Sequence, residues 1–156
     1  NPGIFESRTK KECTYLFIDL VSVSEFTEQT LVNYVPDMTL KKDQRLLLKG
    51  IEFEEGSDVL KKSSFKILES LAKTLKDNSN IKVEIASYTD NSLDPSESLT
   101  FSTARAKTIT EWLKNKEVLS SQIQSIGRGS SNAIALNSSK KDRQKNERIE
   151  IRFIKL

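Results

Sequence analysis

Residues 81–113, IKVEIASYTDNSLDPSESLTFSTARAKTITEWL, decide how this chain folds. The stretch opens with alternating apolar and polar side chains, in which Ile81, Val83 and Ile85 face one way, and this alternation predicts a β-strand. A polar loop then leads to residues 94–97, Asp-Pro-Ser-Glu, which have the N-cap aspartate, first-turn proline and N3 glutamate of a helix start. The stretch is therefore predicted to form a strand, a loop and a helix.

The predicted helix presents an apolar face with one arginine beside it. Residues three and four apart share a helix face. The buried face is predicted to comprise Leu99, Ser102, Ala106, Ile109 and Leu113. Arg105 belongs to the adjacent stripe and so lies at the margin of that face. Asp90 ends the preceding strand, so its carboxylate and the Arg105 guanidinium can face one another across the mouth of the strand–loop–helix unit.

Two interpretations of this pair are open from residue chemistry alone. In the first, Asp90 and Arg105 form an internal salt bridge that only fixes the loop. In the second, they form a clamp in which Asp90 takes an ammonium group and Arg105 takes a carboxylate by a two-pronged hydrogen bond. An amino-acid head group carries both charges on one carbon and would fit such a clamp.

The segments on either side complete one α/β domain. Strands are predicted at residues 45–53, 122–126 and 147–156, a helix at about 58–77, and a polar, basic loop at 137–147. This order predicts an α/β fold (an α+β two-layer sandwich) with a small mixed sheet and helices packed on one face. We assign residues 46–156 to this domain. Residues 1–45, with a predicted strand at 13–26, form a lead-in or the remnant of a preceding domain.

Composition limits the functional classes. The chain has 156 residues, is 36% hydrophobic and 30% charged, and carries a formal net charge of +3, as an ordinary globular protein does. It has no histidine and one cysteine, Cys13, which excludes Cys/His zinc sites, histidine-dependent catalysis and an internal disulfide. We therefore predict no enzyme, no cofactor and no metal site. No apolar run is long enough to span a bilayer, and since Asn1 is not an initiator methionine, the chain is expected to be a fragment or a mature form.

The basic segment at residues 140–145 is predicted to be a solvated surface loop. Its charges could contact phosphates, but no aromatic side chain is interleaved with them for base stacking. Nucleic-acid binding is therefore not expected.

Five short motifs occur in a recognisable order along the chain. They are IEFEEGS at residues 51–57, YTDN at 88–91, FSTARA at 101–106, GRGS at 127–130 and NERIEI at 146–151. Together they resemble the OmpA-like domain, the peptidoglycan-binding module of outer-membrane proteins, peptidoglycan-associated lipoproteins and flagellar stator proteins. The resemblance covers about residues 46–155. It implies a periplasmic protein that is associated with the outer membrane through a part outside this chain.

The resemblance also implies a ligand and a site. The ligand is the peptidoglycan stem peptide, held by a diamino acid such as diaminopimelate, with Asp90 on its ammonium group and Arg105 on its carboxylate. The implied ligand-binding residues are Asp90, Arg105, Thr89, Asn91, Ser98 and Arg148. Such a protein links an envelope component to the cell wall without direct membrane insertion by this segment. Residues 1–45 are expected to offer a surface to another envelope protein.

The ligand loop departs from the family pattern. Leu93 stands where glycine is usual, Ser98 stands where the family has asparagine, and Glu147 replaces an arginine and so reverses a charge near the site. Three outcomes stay open at this point. They are binding to the usual stem peptide, binding to a stem peptide with another diamino acid, and an OmpA-like fold that has lost the ligand and serves as a structural or protein-docking domain.

Overall fold

The computed structural model describes residue 43 and residues 45–155. These residues form β1 (Arg45–Leu47), α1 (Phe65–Asp77), β2 (Lys82–Tyr88), α2 (Pro95–Asn115), β3 (Ile123–Gly127), α3 (Lys140–Asn146) and β4 (Arg148–Lys155). The strand predicted at residues 13–26 lies outside the described residues. Within the described part of the chain, none of the helices combines the length and the apolar character that a membrane-spanning segment needs.

The four strands form one mixed sheet in the order β1-β4-β2-β3. β4 pairs antiparallel with β1 and with β2, whereas β2 and β3 are parallel. Parallel neighbours need a crossover connection, and α2 supplies it. The predicted α/β class with a small mixed sheet is confirmed. The loop after β2 and the start of α2 lie at the carboxyl end of a central strand, where the predicted site residues fall.

The core lies between the helices and one face of the sheet. Its buried members include Val83 and Ile85 of β2, Ile149, Ile151 and Phe153 of β4, Leu68, Ala72 and Leu75 of α1, and Ile109 and Leu113 of α2. Alternation along each strand puts these side chains on the same face. Burial of each aliphatic side chain contributes about 1.5–3 kcal/mol. The opposite face is polar, and there Arg152 donates to Glu84 at 3.0 Å.

The predictions for residues 45–64 are wrong in detail. The strand predicted over 45–53 ends at Leu47, because the chain turns at Gly50, which has φ +80°. The helix predicted from about residue 58 begins only at Phe65. Leu60, which we placed in that helix, instead pairs with Phe53 in an isolated bridge, and its side chain is buried. This bridge closes the turn that forms one wall of the site.

Two further predictions need correction. Residues 140–146 form α3 rather than a loop, capped by Ser139, whose hydroxyl accepts from the Asp142 N–H at 3.1 Å. Leu99 was placed on the buried face of α2, but it is 51% exposed, and the fully buried Ser98 takes that place. A helix without an apolar face gives no periodic signal, which is why α3 was missed.

Candidate ligand-binding site

Asp90 and Arg105 line one cleft of about 840 Å³. The cleft lies between the loop after β2, the first half of α2 and the turn at residues 53–58. The start of α2 is fixed by Asp94, whose carboxylate accepts from the N–H groups of Ser96 at 2.8 Å and Glu97 at 3.0 Å. The hydrogen bonds from the backbone of Glu97 and the side chain of Ser96 hold the pKa of Asp94 below its usual value. The predicted N-cap is confirmed.

The Asp90 carboxylate is held by its own loop. The side chain is buried, Oδ1 accepts from the N–H of Ser92 at 2.9 Å, and Oδ2 accepts from the Ser92 hydroxyl at 2.8 Å. The Nε atom of Arg143 lies 3.8 Å from Oδ2. These contacts fix the direction of the carboxylate, so that it is presented to the cleft in one orientation.

The Arg105 guanidinium is held by four neighbouring groups. Its Nε donates to the carbonyl of Ser57 at 3.0 Å, and its Nη1 lies 3.3 Å from Oε2 of Glu147. The ring centroids of Phe53 and Phe101 lie 4.8 Å and 4.2 Å from its Cζ. A guanidinium over aromatic faces is stabilised by cation–π attraction. Arg105 is thus buried, although it lies on the helix stripe that we placed at the margin of the core.

The internal salt bridge between Asp90 and Arg105 is not formed. Among the described residues, Asp90 has its ionic contact with Arg143, and Arg105 has its ionic contact with Glu147. The two side chains nevertheless line the same cleft. Of the two interpretations of the pair, the loop-fixing salt bridge is therefore wrong.

The other predicted residues of the ligand loop occupy different positions. Thr89 lines the cleft, and its Oγ1 is buried without a hydrogen-bond partner among the described residues. Asn91 is exposed and is not among the residues that line the cleft. Ser98 is fully buried behind the loop, where its hydroxyl donates to the carbonyl of Leu93 at 3.4 Å. Ser98 therefore contacts the loop rather than the cleft.

Leu93 takes the place of a usual glycine without backbone strain. The described non-glycine residues with positive φ are Asp43, Glu117 and Asn132, so Leu93 is not in the left-handed region. Its side chain is 40% exposed and lines the cleft. The loop therefore follows a course that does not need glycine at this position, and it adds an apolar side chain to the wall.

Arg148 lies in a neighbouring cavity rather than in the cleft. This cavity, of about 330 Å³, shares Phe53, Arg105 and Glu147 with the cleft. The Cζ of Arg148 lies 3.8 Å from the ring centroid of Tyr88, and its Nε donates to Glu150 at 2.8 Å.

Tyr88, whose ring lies against the Arg148 guanidinium, is itself an ionisable residue. Burial, reinforced by the nearby Glu150 carboxylate, raises the pKa of the Tyr88 phenol. The phenol therefore stays protonated at neutral pH, and its oxygen accepts from Nη1 of Arg45 at 3.1 Å. Tyr88 and Arg148 thus line the neighbouring cavity together.

Carboxylates dominate the lining of the cleft. The acidic residues among those that line it are Glu54, Glu55, Asp58, Asp90, Glu97 and Glu147, whereas Arg105 is the basic residue. Among the described residues, no group of three or more acidic side chains is arranged to hold a metal ion. The cleft is therefore an acidic surface with one guanidinium set into it.

Several site residues were missed from the sequence. Phe101 and Arg105 are four apart on α2, a spacing that brings side chains together, and this signal could have identified the stacking. The contacts of Arg105 with Phe53, Ser57 and Glu147 join distant parts of the chain. Sequence spacing gives no local signal for contacts of that kind.

The fold and the five motifs agree with known proteins. Residues 52–147 match the sequence model of the OmpA family. The chain belongs to this family, and the predicted resemblance is confirmed. The solved periplasmic domain of MotB from Helicobacter pylori has a TM-score of 0.61 with 23% identity, covering 71% of this chain and 74% of that one. The peptidoglycan-associated lipoprotein of Burkholderia pseudomallei has a TM-score of 0.63 with 19% identity, covering 66% and 87%.

Two curated relatives are similar to about two thirds of this chain. The peptidoglycan-binding protein ArfA of Mycobacterium tuberculosis is 34% identical over 101 residues, which are 65% of this chain and 31% of ArfA. The probable lipoprotein YiaD of Escherichia coli is 30% identical over 102 residues, which are 65% of this chain and 47% of YiaD. This chain thus matches about a third of ArfA and about half of YiaD.

Proposed function

We propose that this chain binds peptidoglycan non-covalently through the diamino acid of the stem peptide and links an envelope component to the cell wall. Membership of the OmpA family and similarity to ArfA, which is named a peptidoglycan-binding protein, support the proposal. The observation that carries it is a pair of buried, opposite charges, Asp90 and Arg105, which line one cleft without neutralising each other.

In the proposed mechanism, neither residue does chemistry. Asp90 accepts hydrogen bonds from a ligand ammonium group, and Arg105 donates through its outer nitrogens to a ligand carboxylate. Thr89 lies in the same wall, next to Asp90. Both charges are largely removed from water, where electrostatic attraction is stronger than at an open surface. Asn91, Ser98 and Arg148 then support the loop and the neighbouring wall rather than touch the ligand.

We extend the proposal to the organisation of the chain. Residues 46–156 are the wall-binding domain, and residues 1–45 are a lead-in that can meet another envelope protein. The domain works in the periplasm, where its ligand lies, and an envelope attachment is supplied from outside this segment. The MotB structure with the same fold is itself a periplasmic domain.

A pull-down with purified peptidoglycan sacculi tests the proposal. Wild-type protein is expected to be retained, whereas Asp90→Ala and Arg105→Ala should each lower retention more than tenfold, because each removes one partner of a desolvated charge contact. Asp77→Ala, at the exposed end of α1, is the matched control and should be retained like wild type. Circular dichroism establishes that each variant is folded. A double variant that still binds sacculi like wild type would contradict the assignment.

A second function is favoured by one specific contact. Because Glu147 already neutralises Arg105 within the chain, the domain could keep its fold and act as a scaffold for a protein partner. Wild-type protein that is folded but not retained by sacculi under any salt condition would support this scaffold function over wall binding.

A further inference from the structure

Glu147 is placed in the cleft by two structural elements. It follows α3 and precedes β4, and its N–H donates to the carbonyl of Arg143 at 3.0 Å. The preceding Asn146 is buried, and its side chain bonds to the backbone of Ile134 and Ala135 at 2.8 Å and 3.0 Å. The backbone that carries Glu147 is thus fixed on both sides. Its side chain is 46% exposed and reaches Arg105.

Glu147 already occupies one of the outer nitrogens of Arg105 that a ligand carboxylate would use. A guanidinium has five N–H donors. The Nε donor is bonded to the carbonyl of Ser57, and Glu147 takes a donor of Nη1. Phe53 and Phe101 lie against the guanidinium. An incoming carboxylate must therefore displace Glu147 or share the guanidinium with it. Two carboxylates bound to one guanidinium lie close together and repel each other.

The rest of the cleft favours a cation. Six carboxylates line the cleft, together with the guanidinium of Arg105. The guanidinium of Arg143 lies close to Asp90. An ammonium group has three donors and no acceptor. An ammonium group therefore finds acceptors in this cleft, Asp90 among them, whereas a carboxylate meets like charges.

We propose that the cleft selects a stem peptide whose diamino acid ends in a bare ammonium group, as lysine and ornithine do. A diamino acid with an ammonium and a carboxylate on the same distal carbon is disfavoured, and Glu147 is the residue that sets this preference. The remaining donors of Arg105 then bind a main-chain carboxylate of the stem peptide rather than a distal one. The inference rests on the proposed peptidoglycan-binding function and names the ligand class of that same site.

The test uses two soluble stem peptides that differ at the diamino acid alone, one with lysine and one with diaminopimelate. Isothermal titration calorimetry with the whole chain measures both dissociation constants. Wild-type protein is expected to bind the lysine peptide roughly tenfold more tightly, because the distal carboxylate of the other peptide must compete with Glu147. Glu147→Gln keeps the shape of the side chain and removes its charge. In this variant the ratio of the two dissociation constants should fall to about one or reverse.

Glu111→Gln is the matched control, since it removes the same charge from the exposed side of α2, where Glu111 pairs with Lys107. It should leave the ratio unchanged. A wild-type preference for the diaminopimelate peptide, or a ratio that Glu147→Gln does not alter, overturns the inference while the proposed function stands. Failure of wild type to bind either peptide and to be retained by sacculi overturns both. Glu147→Asp, whose shorter side chain keeps the charge but loses reach, should give an intermediate ratio.

Discussion

At the residue scale, Arg105 illustrates how a buried charge is offset. An unpaired charge in such a position would cost several kcal/mol. Here the Ser57 carbonyl, the Glu147 carboxylate and the faces of Phe53 and Phe101 surround the guanidinium. The same contacts orient it toward the cleft, so the interactions that stabilise Arg105 also define the site.

The sequence could predict Asp90 and Arg105 but not their partners. The strand end and the helix start fix where the two residues emerge, because both depend on local alternation, capping and helical spacing. The contact of Arg105 with Glu147 spans 42 residues and depends on where α3 ends. No local pattern specifies such a contact, so residue chemistry alone favours a salt bridge within the pair.

The hydrogen bonds of Gln122 allow a test of stability at the residue scale. Its Nε2 donates to the carbonyls of Leu75, Asn78 and Ile81 at 2.7, 3.0 and 3.2 Å, which satisfies the end of α1 and the turn into β2. Gln122→Ala should lower the free energy of unfolding by about 1–3 kcal/mol, because the three carbonyls lose a buried side-chain donor and those of Leu75 and Asn78 keep only a backbone N–H. Urea denaturation measures the change.

The control for this test is Gln124→Ala, which alters the same residue type two positions along, where the side chain is exposed. It should leave the unfolding midpoint within the experimental error. Equal midpoints for Gln122→Ala and wild type would show that the three hydrogen bonds do not contribute to stability.

At the element scale, α2 and β3 approach closely at one glycine. A Cβ on Gly127 would lie 2.5 Å from the backbone nitrogen of Thr103 and 2.7 Å from its Cα, and it would also meet the Thr103 hydroxyl. Backbone atoms of a helix cannot move aside as a flexible side chain can. The close packing of α2 on the sheet therefore depends on the absence of a side chain at this position.

Gly127→Ala should accordingly destabilise the protein by about 1–3 kcal/mol through overpacking. It should also weaken sacculus binding, because α2 carries Arg105 and would move away from the sheet. Ser125→Ala, at an exposed position of the same strand, is the control and should change neither property. Thermal unfolding together with the sacculus pull-down checks both parts. A fully stable Gly127→Ala protein would mean that α2 can shift without loss of packing.

The elements differ in how well the sequence predicts them. α2 has an N-cap, a proline in its first turn and apolar residues at helical spacing, so its position is predicted closely. β4 likewise shows the alternation of Ile149, Ile151 and Phe153. α3 has no apolar face, and the bridge between Phe53 and Leu60 depends on a long-range pairing. The sequence therefore gives no local signal for α3 or for the bridge.

At the scale of the whole molecule, we propose that the domain begins near β1. This short strand pairs with β4 at the edge of the sheet, and Leu46 contributes a buried side chain to the core. Just before it, the N–H of Asp43 donates to the carbonyl of Phe153 at 2.7 Å. The described residues from Asp43 onward thus contain a four-stranded sheet with its own core.

We expect a fragment of residues 43–156 to fold cooperatively and to be retained by sacculi like the full chain. A fragment of residues 49–156, which lacks β1, should be less stable by about 2–5 kcal/mol, because loss of Leu46 opens the core. Denaturant unfolding and the pull-down compare the two. If the longer fragment were unfolded, residues 1–42 would have to be counted as part of the domain.

The immobilised guanidinium of Arg105 has a kinetic consequence. A side chain already fixed by Phe53, Phe101 and Ser57 has lost its rotamer freedom during folding, so binding does not have to freeze it again. Under the proposed function, this part of the site is preorganised, and peptidoglycan binding does not require the Arg105 side chain to change its rotamer. Association should then be limited by encounter between protein and wall, and differences in affinity among stem peptides should appear in how fast they leave.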